Sequence, residues 1–381
     1  NLPTDGFDFN QEGMTQLKIG VSQMFPRGES LEIKQDQLKL QASQFPHQRE
    51  DRKSKVTVQV SQLWLDAYKA QESIALIQKN RSLFEQLVDV AESSYSSAIG
   101  KTRQQDIVRA QLELTRLDDR LTILKQKKEM FLLSLSEWLY DFSNEELQDE
   151  NIINSLNLVL PKKLPNIKMI DNKKLNNKEN STGLLDEFKN HPSVKNIDQK
   201  IEAVSKGINL AKQKYKPQFG VNTSYGYRDD DLMGKSRADL FSLGVSFDIP
   251  IFTQNKQDKE LQAAILKTKS VKSQRWLQLR RLMTSFELTK VNLERLKDRD
   301  TLYKSELIPQ INEQAEASLT AYTSDDGDFS EVVRSRISQL NAKIDALNIS
   351  VEIQKNIVKY NYLFITKSDD ILKITNTKGD N

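Results

Sequence analysis

Three short stretches of the chain alternate apolar and polar residues with a period of two. Leu17, Ile19, Val21 and Phe25 share one face of the first, with Gln16, Lys18, Gly20 and Ser22 on the other. In the second, Phe219, Val221, Thr223, Tyr225 and Tyr227 oppose Gln218, Gly220, Asn222, Ser224 and Gly226. In the third, Phe241, Leu243, Val245, Phe247 and Ile249 oppose Ser242, Gly244, Ser246 and Asp248. Successive strand side chains point to opposite faces, so the pattern predicts strands over 15–26, 217–228 and 238–250, each with one greasy and one small or polar surface. Such a strand suits lipid on one side and water on the other. It also suits a sheet half buried on a core, but the chain offers no separate hydrophobic layer for a sheet to cover.

A different period governs most of the remainder. Val56, Val60, Leu63, Ala67, Ala70, Ile74, Ile77, Phe84, Val88, Ala91 and Tyr95 follow four-three spacing, with Arg81 the one charged intruder. A sustained 3.5-residue repeat predicts a long helix packed in coiled-coil fashion, running from about 29 to 97 with a kink or joint at Pro46. After a break at Ser96–Gly100, a second helix returns with Ile107, Ala110, Leu114, Leu117, Leu121, Leu124, Phe131, Leu135 and Trp138. So short a turn makes the two antiparallel neighbours. The chain then repeats itself. Gly20, Val21, Ser22 and Pro26 recur as Gly244, Val245, Ser246 and Pro250, and Tyr95 and Gly100 are echoed by Tyr322 and Gly327, three residues out of the first offset. The organisation is a duplicated strand and long helical hairpin. Its first repeat is 1–142 (hairpin 29–142), then a connector at 143–192, a second repeat at 193–366 (hairpin 255–366) and a patternless, disordered tail at 367–381.

Composition narrows the function. Hydrophobic residues are 37% and charged residues 29%, which fits extended helices with narrow apolar seams better than several compact cores. The net charge of +3 is spread along the helices rather than gathered in a basic stripe, which argues against nucleic acid as a partner. There is no cysteine, hence no disulfide, thiolate metal site or lipidated cysteine within the sequence, and no run of 18 apolar residues that would make a transmembrane helix. His47 and His191 lie too far apart in pattern for a zinc site. Asp325, Asp326 and Asp328 lack a carboxylate at the twelfth position of a calcium loop. No nucleotide-binding or nucleophile motif appears, so the reading is of a non-enzyme without cofactor or metal.

Three strands, or four with one lost before Asn1, cannot close a barrel, because single-chain barrels begin at about eight strands. Closure must come from copies of the chain. The residues here resemble the TolC-like outer-membrane efflux proteins. The likeness rests on KIGVSQMFPRG (Lys18–Gly28), its counterpart SLGVSFDIPIF (Ser242–Phe252), and the turn segments YSSAIGKTRQQDIVRAQ (Tyr95–Gln111) and AYTSDDGDFSEVVRSR (Ala321–Arg336). It covers nearly the whole chain and implies that a first helix and strand are missing. The fold it implies is mainly α with a membrane β-barrel portion: a homotrimer whose twelve-stranded barrel continues into a helical tunnel. The implied setting is the outer membrane of a Gram-negative bacterium, with the tunnel in the periplasm. The implied role is a passive exit duct of a tripartite efflux or type I secretion system, fed by an inner-membrane pump through a periplasmic adaptor.

In that family the two helix turns form the periplasmic tip, where adaptors dock and the tunnel closes. Carried onto this chain, the docking residues are Tyr95, Ser97, Ala98, Ile99, Gly100, Lys101 and Thr102, with Tyr322, Ser324, Gly327, Asp328 and Phe329. The same residues would also make an ordinary helix-hairpin turn. The glycine at each turn is expected to supply positive φ. Just beyond stand Asp106 with Arg109 and Glu331 with Arg334, which as a ring of carboxylates and arginine pairs could attract cations and hold the tip shut. The family has a further acid where this chain has Arg334, so Glu331 alone carries over in the second repeat. Read without the family, these are solvated i,i+3 pairs worth roughly a few tenths of a kcal/mol. A soluble or periplasmic coiled-coil scaffold or adaptor is the alternative function, against which the doubled hairpin speaks.

Overall fold

The computed structural model describes residues 12–96, 103–139, 160–170, 181–324 and 326–365. The tail from 367 and much of the connector lie outside them. In chain order the elements are β1 (Leu17–Met24), α1 (Ser30–Ala42), α2 (Gln44–Ser96), α3 (Gln104–Leu139), α4 (Ser181–Lys189), α5 (Pro192–Gln213), β2 (Gln218–Tyr227), β3 (Leu240–Asp248) and α6 (Gln257–Leu302). A π-helical turn at Tyr303–Leu307 follows, then α7 (Ile308–Thr323) and α8 (Phe329–Leu363). The chain divides into two compact units, one of Asn1–Gln48 with Ser193–Gln278 and one of Arg49–Pro192 with Leu279–Asn381.

The first unit holds an antiparallel sheet in the order β1-β2-β3. Its register lines up the alternation of all three strands. Ile19, Tyr225 and Phe241 form one row, Val21, Thr223 and Leu243 the next, and Gln23, Val221 and Val245 a third. The rows of the opposite face are Gly20, Ser224 and Ser242, then Ser22, Asn222 and Gly244. At the end of β1 the chain turns towards α1 through Gly28, whose φ of 47° is a left-handed conformation that glycine adopts without strain. Arg27 fixes this corner. It donates from Nε to Gln218 Oε1 at 3.2 Å and from Nη1 to the Lys214 carbonyl at 3.1 Å, and pairs with Asp248. Below it, Gln37 Nε2 donates to the Ala203 carbonyl at 3.3 Å and Arg275 pairs with Asp198, tying α1, α5 and the start of α6 together.

The joint expected at Pro46 within the helical stretch 29–97 is a parting at Ser43, between α1 and α2. Pro46 has no amide, so a continuous helix would leave the Ala42 carbonyl without its partner and crowd it with the ring. Beginning α2 at Gln44 puts Pro46 in the first turn, where no intrahelical amide bond is required.

In the second unit Ala70, Ile77, Phe84 and Ala91 recur every seventh residue along α2 and are all buried. Ile77, Phe84 and Ala91 cluster with Ala110, Leu117 and Leu121 of α3 and Val332, Val333 and Leu340 of α8. Each large buried side chain there contributes about 1.5–3 kcal/mol. Arg81 stays out of this seam by reaching sideways to Asp118 of α3 at 2.9 Å. Residues 160–170 run against the helices with their backbone held by amide side chains. Gln71 both donates to the Leu160 carbonyl and accepts from its amide, and Asn361 does the same for Lys168 and Ile170. Gln354 accepts from the Ile167 amide at 2.9 Å.

Candidate functional site

The return helices α3 and α8 begin alike. At the first, the Arg103 amide donates to Asp106 Oδ2 at 2.9 Å while the Asp106 amide donates to the Arg103 carbonyl at 2.9 Å. At the second, Asp328 accepts from the Ser330 amide at 3.1 Å and the Glu331 amide donates to the Asp328 carbonyl at 3.0 Å. Each acid at the third helical position lies near free amides and the positive end of the helix dipole. Asp106 is only 6% exposed, and its carboxylate serves this cap. Among the described residues it makes no ion pair with Arg109. Glu331 does pair with Arg334, at 3.0 Å within one exposed helix face.

The two turns come together. Arg103, Asp106 and Arg109 from the first, with Tyr322, Asp326 and Asp328 from the second, line a recess of about 350 Å³. Asp328 is held below the usual carboxylate range, first by the Ser330 amide and hydroxyl and then by the charges of Arg103 and Arg109. The partnership of Arg109 with the other repeat was not visible in the sequence. Arg103 was missed as well, although Arg103-x-x-Asp106 and Asp328-x-x-Glu331 are the spacing of a helix cap.

The remaining turn residues divide. Tyr95 and Ser324 are exposed, and the Ser324 amide closes α7 on the Thr320 carbonyl at 3.0 Å. Tyr322 meets Phe329 edge to face with ring centroids 5.4 Å apart. Phe329 is 2% exposed and sits in the helical core beside Val332 and Val333, so its side chain anchors the turn from within. Ser97, Ala98, Ile99, Gly100, Lys101 and Thr102 lie outside the described residues. The expectation for Gly327 needs correction. The described glycines with positive φ are Gly28 and Gly234. What Gly327 provides is absence of a side chain, because a Cβ there would lie 2.6 Å from the Tyr322 nitrogen and 2.8 Å from the Ala321 carbonyl carbon.

The second candidate surface is the sheet. Ile19, Val21, Phe241, Leu243, Val245 and Phe247 are each 62–72% exposed, all on one face. Among the described residues nothing covers them, and β1 and β3 each keep an edge with no strand beside it. In water such a face and two bare edges are an aggregation hazard. The opposite face is small and polar, with glycine or serine at most positions.

No protein-family model matches the chain, and no curated protein sequence matches it. Solved structures do. A membrane protein from Pseudomonas aeruginosa superposes with a TM-score of 0.73 at 13% identity, over 94% of this chain and 85% of that one. The outer membrane protein VceC of Vibrio cholerae gives 0.69 at 11% identity, over 91% and 79%. The CmeC outer membrane channel of Campylobacter jejuni gives 0.73 at 15% identity, over 92% and 70%. At these identities the likeness is one of fold: long helices with a small antiparallel sheet, as in the TolC-like channels.

Proposed function

We propose that this chain, which shares the fold of the TolC-like outer-membrane channels, is one subunit of a homotrimeric exit duct in the outer membrane of a Gram-negative bacterium. The observation that carries this reading is the sheet. Its register gathers the large apolar strand side chains, Met24 and Leu240 excepted, onto one uncovered face and leaves mostly small or polar groups on the other, as a wall between lipid and water requires. Bare edges on both sides suit completion by further strands, since in hydrocarbon every backbone polar group needs a partner.

In this proposal residues 1–142 and 193–366 are two copies of one strand-and-hairpin unit joined by 143–192, and the helices form the periplasmic tunnel. The duct is passive and receives cargo from an inner-membrane pump through a periplasmic adaptor. The paired turns are the tip. Tyr95, Ser324, Asp328 and the neighbouring segment Ser97–Thr102 offer the adaptor its surface, and Tyr322, Gly327 and Phe329 shape it from behind. Glu331, with Arg334 and Arg109, places charge where the passage narrows, while Asp106 holds the start of α3 behind them. Fractionation of cells making the natural protein, followed by planar-bilayer recording of the purified product, tests the reading. The expected result is an outer-membrane trimer that conducts; a soluble, non-conducting monomer overturns it.

A further inference from the structure

The polar face of the sheet carries a conspicuous charge imbalance. Among the described residues of the three strands it holds two charged side chains, Lys18 near one end and Asp248 at the other. Asp248 is neutralised by Arg27, itself braced by Gln218 and the Lys214 carbonyl. Lys18 has no such partner. It stands opposite Gly226, with Leu240 beyond it in the same row, and makes no ion pair among the described residues. The next row, Gly20, Ser224 and Ser242, is small and uncharged. The loop past β2 holds Asp229, Asp230, Asp231 and Asp239 against Arg228, Lys235 and Arg237. Two of those acids are occupied locally, Asp231 by the Met233 and Lys235 amides and Asp239 by the Arg228 amide.

From this we infer that Lys18, one per subunit, forms a ring of positive charge inside the barrel near the end remote from the helices, and biases passage through that end towards anionic solutes. The inference rests on the duct reading and deepens it. A ring of like charges in a narrow, low-dielectric passage raises the local concentration of the opposite ion. Glycine and serine rows beneath it leave the lumen open, and among the described strand residues no unpaired acid on that face offsets the effect; the loop past β2, with one acid more than its bases, lies beyond the strands.

The test is reversal potential in a potassium chloride gradient across a planar bilayer, near 0.1 M, where charges act over about 10 Å. The natural protein is compared with Lys18→Gln and Lys18→Glu. The anion-to-cation permeability ratio is expected to fall roughly two-fold for Lys18→Gln, and further for Lys18→Glu. Because the chain has no cysteine, Lys18→Cys adds an independent measurement. A sulfonate-bearing thiol reagent should lower the ratio and an ammonium-bearing one restore it. Channels whose selectivity ignores all these changes overturn the ring and leave the duct standing. A natural protein that forms no channels overturns both.

Discussion

The backbone nitrogen of Tyr322 lies 2.6 Å from the position a Cβ on Gly327 would take. The obstacle is backbone, which cannot swing aside as a side chain can. Gly327→Ala should therefore force the α7–α8 turn open and lower stability by about 1–3 kcal/mol. Ser324→Ala, at an exposed neighbour, should stay within about 0.5 kcal/mol. Thermal unfolding followed by helical circular dichroism separates the two.

The π-helical turn is a one-residue insertion. Phe286 and Leu293 are core residues seven apart, as are Ala315 and Tyr322, but Leu293 and Ala315 are separated by three heptads plus one. The Ile308 amide donates to the carbonyl of Tyr303, five residues back, so the extra residue is absorbed before Pro309. Deleting Ser305 together with Pro309→Ala should give a plain α-helix with the seam intact, and the protein should fold with nearly unchanged stability. Deleting Asn292 instead puts the missing residue before Leu293 and rotates the helix on one side of the gap by about 100°. That should cost several kcal/mol by exposing core side chains. Equal melting temperatures for the two deletions would refute this account of the turn.

The sequence made the strands, their two faces and the α2 seam legible, because each depends on a local period that the tertiary structure merely obeys. Leu243 and Ser242 are assigned to opposite faces by adjacency alone. Gly20 and Gly244 are 224 apart whereas Tyr95 and Tyr322 are 227 apart, so the second repeat carries three more residues between strand and turn. The structure holds them in the connection from strand to helix, five residues from β1 to α1 and eight from β3 to α6. The inserted residue of the π-helical turn is separate from that offset; its place depends on how α6 and α7 pack, and the period says nothing of it. Arg109 near Asp328 and the backbone contact behind Gly327 were hidden for the same reason. Both arise when distant segments meet, and neither leaves a spacing to read.

Leu243 and Ser242 also provide the sharpest test of which side of the sheet meets lipid. Leu243 lies in the row of Val21 and Thr223, and Ser242 in the row of Gly20 and Ser224. Leu243→Arg should oppose insertion by about 2–4 kcal/mol if it falls near the middle of the bilayer. Ser242→Arg puts the same charge in water and should leave outer-membrane yield near normal. The reverse order, or equal yields, argues against a lipid-facing sheet.

A buried histidine gives the second unit a dependence on pH. The His191 ring is 1% exposed, its Nε2 lies 3.1 Å from the Tyr362 carbonyl, and the ring packs edge to face on Tyr362. Tyr362 in turn donates from its hydroxyl to Asp51 at 2.9 Å. Burial pushes the His191 pKa down, against the opposing pull of the Tyr362 carbonyl and Asp51, while Lys55 adds to the lowering. The folded protein therefore resists a proton that the unfolded chain accepts below about 6.5. This contribution is complete above that value and erodes as the pH falls from there towards the lower folded-state pKa. His191→Gln keeps a donor for the Tyr362 carbonyl but cannot titrate. Between pH 7.5 and roughly 5.5, before most carboxylates titrate, the melting temperature of the natural protein should fall more steeply than that of His191→Gln. Parallel slopes would mean that the ring takes up its proton as easily folded as unfolded, and the burial argument would be wrong.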